Sequence, residues 1–115
     1  MVPHGECDLP IVINVAMCTW ASIRAFANVG LCHGDIKPAN LMLTGDSQLV
    51  ILIDFGSAVP FGDIIEETSM HWGRDCPPTS SVRYDMTCLA SVLYTLLYGV
   101  LPDGGIAEMR LSHTI

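Results

Sequence analysis

A short polar run lodged between apolar elements constrains this chain more than any other feature. In Cys32-His33-Gly34-Asp35-Ile36-Lys37-Pro38-Ala39-Asn40, a carboxylate is followed two residues on by an ammonium and five residues on by a carboxamide. Taken singly, Asp35 and Asn40 could cap turns, and Lys37 could be a solvated charge. Taken together, the three form a compact polar set that the flanking elements must hold on a loop.

Those flanking elements can be read from periodicity. From about Pro10 to Asn28 the chain suits a helix and is apolar on nearly every face, with Ile11, Val12, Val15, Ala16, Trp20, Ile23, Phe26 and Ala27. A helix of that kind is expected inside a core, and Gly30 is its expected stop. Asn14, Thr19 and Ser22 interrupt the run and Arg24 closes it, whereas a bilayer span needs about 20 mostly apolar residues. Downstream, Leu41–Leu43 and Leu49–Ile53 flank Thr44-Gly45-Asp46-Ser47-Gln48. Two strand-forming runs around a Gly/Asp turn predict a β-hairpin.

Asp54-Phe55-Gly56 ends the second strand, where Asp54 could be a simple turn residue. From Ser57 to about Arg83 the chain is polar, acidic and broken by Pro60, Gly62, Gly73, Pro77 and Pro78. Loops longer than about 12–15 residues usually carry function or are disordered. A second core helix is expected from about Asp85 to Tyr98. Its expected buried residues are Met86, Leu89, Ala90, Val92, Leu93, Leu96 and Leu97, and Gly99 stops it. Asp85 stands where a carboxylate can cap free backbone N–H groups. The expected fold class is mainly α with a small β-hairpin (α+β).

Half of the 115 residues are hydrophobic and 15% are charged, which speaks against disorder. A net charge of −7 with five Lys plus Arg argues against a nucleic-acid surface, which needs a basic patch. It leaves room for a positively charged peptide partner. The five cysteines, Cys7, Cys18, Cys32, Cys76 and Cys88, are odd in number and form no C-x-x-C pair. They are expected to be reduced, mostly buried thiols of an intracellular, cytoplasmic protein. Cys32 and His33 lack the second ligand pair that a zinc site needs. Met1–Pro10 carries acids and prolines rather than the basic start and apolar run of a secretory signal. Neither a nucleic-acid nor a membrane partner is expected.

The run from His33 to Asn40 resembles the catalytic loop of eukaryotic-type Ser/Thr protein kinases, H-x-D-x-K-x-x-N, and Asp54-Phe55-Gly56 resembles their metal-binding D-F-G. The resemblance covers roughly Pro10 to Pro102. It implies an incomplete protein kinase-like large (C-terminal) lobe over residues 10–102, with an irregular lead-in at 1–9 and a tail at 103–115. The implied activity is transfer of the ATP γ-phosphoryl group to a protein hydroxyl. Asp35 would orient the substrate hydroxyl and accept its proton. Lys37 would offset charge on the transferring phosphate, and a Lys here resembles Ser/Thr rather than Tyr kinases. Asn40 and Asp54 would hold Mg²⁺, so that Lys37, Asn40 and Asp54 together bind Mg²⁺-ATP. Asp85 resembles the buried aspartate that supports the catalytic-loop backbone, and His33 would pack and hydrogen-bond rather than ligate. Aminoglycoside and lipid kinases share a catalytic Asp and a metal-binding pair; Lys37-Pro38-Ala39-Asn40 and the full D-F-G favour the protein kinase group.

Three departures from the pattern carry expectations. Gly34 stands where an Arg commonly pairs with a loop phosphate, so phosphorylation of Thr68, Ser69 or Thr79 is not expected to switch activity. Cys76-Pro77-Pro78-Thr79 replaces A-P-E, and Thr79 cannot supply the carboxylate that anchors the loop. Nothing before Pro10 resembles a Gly-rich loop and no Lys precedes Lys37. The phosphate-gripping Lys and its Glu partner are therefore expected to be missing, as are the helices after Leu101. Apolar helix surface would then be exposed to a partner. The alternative to an enzyme is a non-catalytic, truncated or pseudokinase-like binding module, and behind both stands an unrelated small protein with accidental motifs.

Overall fold

The computed structural model describes residues 9–44, 49–63, 65, 79–99 and 112–113. The first element is helix α1, Leu9–Ala27. Pro10 is tolerated because it lies in the first turn, where its missing N–H costs no intrahelical bond. Val12, Val15, Thr19 and Ile23 recur at three- and four-residue spacing and form the buried stripe. Burying an aliphatic side chain fully contributes about 1.5–3 kcal/mol, so this stripe retains the helix. Gly30 ends it at φ 74°, with its N–H on the Ala27 carbonyl at 2.9 Å.

The expectation that α1 is a core helix on all sides is corrected. Leu9, Ile13 and Met17 are exposed, and Trp20 lies at the surface with the Arg24 guanidinium 5.2 Å from its ring centre. Among the described residues, its main neighbours are helix α2 (Val82–Tyr98) and the short strands β1 (Leu31–Cys32) and β3 (Val50–Leu52), which meet its buried stripe. By length and composition alone α1 could cross a bilayer; here its apolar stripe is taken up by the core.

Two small β units follow. β1 pairs antiparallel with β4 (Val59–Pro60), matching Cys32 with Val59. The expected hairpin strands are β2 (Leu41–Leu43) and β3, paired antiparallel with Met42 opposite Ile51. Leu41, Leu43, Val50 and Leu52 face the core while Ile51 faces out, the alternation a half-buried sheet requires. β5 (Ser112–His113) lies parallel to β2 on its other edge.

α2 begins at Ser81, whose Oγ accepts the Tyr84 N–H at 3.1 Å, and ends at Gly99, φ 81°, whose N–H reaches the Thr95 carbonyl at 2.8 Å. Its buried face holds Tyr84, Asp85, Cys88, Leu89, Val92 and Leu96. Met86, Ala90 and Leu97, expected inside, point outward, because one face alone meets α1 and β1. Asp85 is not the N-cap: Ser81 is, and the Asp85 carboxylate is turned inward.

The core is one cluster of α1, α2 and strand residues, with Cys32, Ile36 and Leu41 inaccessible at its centre. Within it, Thr19 Oγ1 has no hydrogen-bond partner among the described residues. Cys32 and Cys88 are buried and Cys18 is half-buried, in keeping with mostly buried cysteines. Cys7, Thr68, Ser69, Trp72, Cys76 and the Pro77-Pro78 step lie outside the described residues, as does the turn at 45–48.

Candidate active site

The polar run leaves the core at β1 and returns to it at β2, and its backbone is held from three sides. The Asp85 carboxylate accepts the His33 N–H at 2.8 Å through Oδ2 and the Gly34 N–H at 3.0 Å through Oδ1. The Cys32 thiol donates to the same Oδ1 at 3.3 Å and lies 3.4 Å from the Ser81 carbonyl. A buried carboxylate survives only when its lone pairs are filled, and here the turn itself fills them. Burial, and then the Asp85 charge, push the Cys32 thiol up to about 12, so the sulfur keeps its proton and acts as a donor.

His33 is fully buried, and both its ring nitrogens are engaged. Nδ1 accepts the Asp35 N–H at 3.1 Å, which puts the ring proton on Nε2, where it donates to the Ile53 carbonyl at 3.0 Å. That tautomer leaves no nitrogen for a metal. The ring stacks on Phe26, centres 5.9 Å apart, and meets Phe55 edge-on at 5.7 Å. His33 thus packs and hydrogen-bonds, while linking α1, the polar run and the segment after β3.

Gly34 is fixed by geometry. Its φ is +84°, and a Cβ added there would sit 2.8 Å from the Ser57 carbonyl oxygen. Both the dihedral and the contact select glycine, so an Arg at this position is incompatible with the observed backbone.

Asp35, Lys37 and Asn40 come together. Lys37 Nζ lies 3.7 Å from Asp35 Oδ1 in a partly exposed pair. Asn40 is buried after a short 3-10 turn, Pro38–Asn40, and its Nδ2 donates to the Asp35 carbonyl at 2.8 Å and to Asp35 Oδ2 at 3.1 Å. Both partners are acceptors, so the nitrogen must face them and Oδ1 is the Asn40 atom suited to a cation. Asp35 Oδ1 is itself buried and has no hydrogen bond among the described residues; the Lys37 charge is its neighbour.

Asp54 stands apart from that trio: no hydrogen bond or ion pair joins it to Asp35, Lys37 or Asn40 among the described residues. The preceding residue nevertheless ties it to the site, since the Ile53 N–H donates to the Asn40 carbonyl at 2.8 Å and the Ile53 carbonyl receives His33 Nε2–H. Asp54 is exposed and has φ 62°, the one non-glycine with positive φ among the described residues; its Oδ1 accepts the Gly56 N–H at 3.3 Å. A strained backbone held at a polar position is a signature of functional sites.

No group of three or more His, Cys, Asp or Glu side chains converges on a metal position among the described residues. Asn40 Oδ1 and the Asp54 carboxylate are oxygen donors, the kind a hard cation prefers. Motif reading missed the Cys32 donor, the Phe26–His33–Phe55 cluster and the β1–β4 pairing, all of which join residues distant in sequence.

Known proteins share sequence with this chain. Residues 7–97 match the Phosphotransferase enzyme family. The chain is 31% identical to the serine/threonine-protein kinase ELM1 of Saccharomyces cerevisiae over 114 residues, covering 75% of this chain and 18% of that protein. It is 40% identical over 50 residues to serine/threonine-protein kinase 1 of African swine fever virus, covering 42% of this chain and 17% of that one. Over another 50-residue alignment it is 38% identical to protein kinase gsk3 of Schizosaccharomyces pombe, covering 41% and 13% of the two chains. The chain thus spans less than a fifth of the length of these relatives. It belongs to the phosphotransferase enzyme family and carries part of a protein kinase-like domain.

Proposed function

We propose that this chain is the catalytic-loop portion of a Ser/Thr protein kinase large lobe, working on the γ-phosphoryl group of ATP and a protein hydroxyl inside the cell. The observation that carries this reading is Asp35 Oδ1, a buried carboxylate oxygen without a hydrogen bond, beside an ammonium 3.7 Å away. Leaving such an oxygen unsatisfied is costly unless a ligand completes it. A substrate hydroxyl would supply the missing donor and give up its proton there.

Each of the other side chains has a matching task. Asn40 holds the second Asp35 oxygen and so orients the first. Lys37 would offset charge as the phosphoryl group moves. Asn40 Oδ1 and the exposed Asp54 carboxylate would hold Mg²⁺, which when bound screens the phosphate oxygens. The test is incorporation of radiolabelled γ-phosphate from ATP into a generic protein substrate, with Asp35→Asn as control. Very weak or no incorporation is expected of the isolated chain, since positioning and electrostatics supply nearly all of this catalysis, and any Mg²⁺-dependent signal should vanish in the variant. Incorporation that persists in Asp35→Asn, or a parent chain whose Tm does not rise with Mg²⁺-ATP, would overturn the reading.

A second reading, a non-catalytic module that binds a protein partner, is favoured by one observation: Leu9, Ile13 and Met17 on α1 and Leu97 and Tyr98 on α2 are exposed. A Mg²⁺-ATP-dependent rise in Tm separates the two. The enzyme reading requires it, and the binding-module reading does not.

A further inference from the structure

No sequence motif marks Ser80, yet it is 2% exposed and hydrogen-bonds to the chain at Pro60–Asp63. Its backbone N–H donates to the Asp63 carbonyl at 2.7 Å, and its carbonyl accepts the Gly62 N–H at 3.1 Å. Its hydroxyl donates to the Pro60 carbonyl and accepts the Asp63 N–H at 2.9 Å. All four bonds run from the exit of β4 to the residue before the α2 N-cap.

The hydroxyl bonds are the informative pair. Pro60 and Asp63 bracket a turn whose direct bond, Asp63 N–H to Pro60 carbonyl, is long at 3.4 Å. Ser80 Oγ sits between these two groups and serves both, using one donor and one acceptor position. The next residue extends the connection inward: the Ser81 carbonyl faces the Cys32 thiol, which also meets the Asp85 oxygen holding the Gly34 N–H. Polar contacts, joined through the Ser80–Ser81 peptide, therefore run from Pro60 to the residue before Asp35.

We propose that Ser80 is a positioning residue, whose hydroxyl, inserted between the Pro60 carbonyl and the Asp63 N–H, pins the Pro60–Asp63 turn to the residue before the α2 N-cap. It supplies by neutral hydrogen bonds the anchoring for which Thr79 offers no carboxylate. That this segment receives a protein substrate rests on the kinase reading above; the pinning does not.

The experiment is residue-resolved hydrogen exchange on the full chain, comparing the parent with Ser80→Ala and Ser80→Thr. In Ser80→Ala the Asp63 N–H exchanges about tenfold faster, while Ser80→Thr, which keeps the hydroxyl, stays within about threefold of the parent. The Val92 and Leu96 amides in the middle of α2 are unchanged in both. Unaltered Asp63 exchange in Ser80→Ala would show that the direct turn bond suffices and would overturn the proposal. Equal acceleration of Asp63, Val92 and Leu96 in both variants would reduce Ser80 to a packing residue and overturn it as well. Should Ser80→Ala fail to fold, the parent and Ser80→Thr decide: protected Asp63 amides support the proposal, and amides exchanging at the free-peptide rate refute it. A chain whose Tm does not rise with Mg²⁺-ATP but whose Asp63 is protected would sink the kinase reading and leave the role of Ser80 standing.

Discussion

The Asp85 carboxylate receives the His33 N–H at 2.8 Å across 52 residues of sequence. This bond joins the first turn of α2 to the start of the polar run, and Gly34 and Cys32 add two more donors to the same carboxylate. In Asp85→Asn, one oxygen becomes an NH₂ facing donors, so a buried N–H loses its acceptor and meets another N–H. The expected destabilisation is about 2–4 kcal/mol in denaturant unfolding. A loss under about 0.5 kcal/mol, the range of an exposed substitution, would contradict this account.

Gly34→Ala tests the backbone rather than the charges. The new methyl would meet the Ser57 carbonyl at 2.8 Å, and φ +84° disfavours any side chain. Strain of about 1–3 kcal/mol is expected, with the Ser57 region displaced in the NMR spectrum. Gly30→Ala is the control, because its φ is similar but nothing lies within 4 Å of the added atom; it should cost less.

The parts of this fold that were legible in the sequence are those with local causes. Gly30 and Gly99 stop helices by their own conformational freedom, and the β2–β3 hairpin follows from two apolar runs around a turn. The burial of each helix was legible only in part. Met17 and Leu97 are as apolar as Ile23 and Leu96, and only the placement of distant elements decides which are covered. β1 and β4 contribute two residues each, too few to display a period. Asp85 reads in sequence as a capping carboxylate; Ser81, four residues earlier, takes that task, and Asp85 is released to hold the polar run. Asp35, Lys37 and Asn40 were legible as a group because their spacing is short. The Ser80 and Cys32 bonds join separate segments and leave no spacing to read.

Cys32 should be chemically silent at neutral pH. Burial first, and the Asp85 charge second, raise its thiol from 9.0 to about 12. Since the folded value lies above the unfolded one, the thiol's contribution to stability is complete below pH 9. It is then lost as pH rises from about 9 towards about 12. Iodoacetamide at pH 8 is expected to spare Cys32 in the folded chain and to label it after unfolding, as read by peptide mass mapping. Labelling of folded and unfolded chain at the same rate would refute the buried donor role.

Thr19 offers a gain. Its hydroxyl is buried in the stripe of α1 without a partner among the described residues. Thr19→Val keeps the shape and removes an unsatisfied polar group, so stability should rise by about 1 kcal/mol. A loss on substitution would mean that the hydroxyl is partnered.

Asn40→Asp examines the inner edge of the candidate site. Asn40 Nδ2 donates to both the Asp35 carbonyl and Asp35 Oδ2, at 2.8 and 3.1 Å. The substitution replaces those two N–H donors by an oxygen that is negative at neutral pH, facing two acceptors in a buried place. Two charged carboxyl groups so close repel, and neither offers the other a donor. The variant should therefore be less stable than the parent by about 2–4 kcal/mol at pH 7. Asn40→Leu, which removes the donors without adding a charge, should cost less than Asn40→Asp. Denaturant unfolding curves of the parent and the two variants measure it. Equal losses in both variants would mean that the residue at position 40 acts through packing alone, and that Asn40 does not hold Asp35.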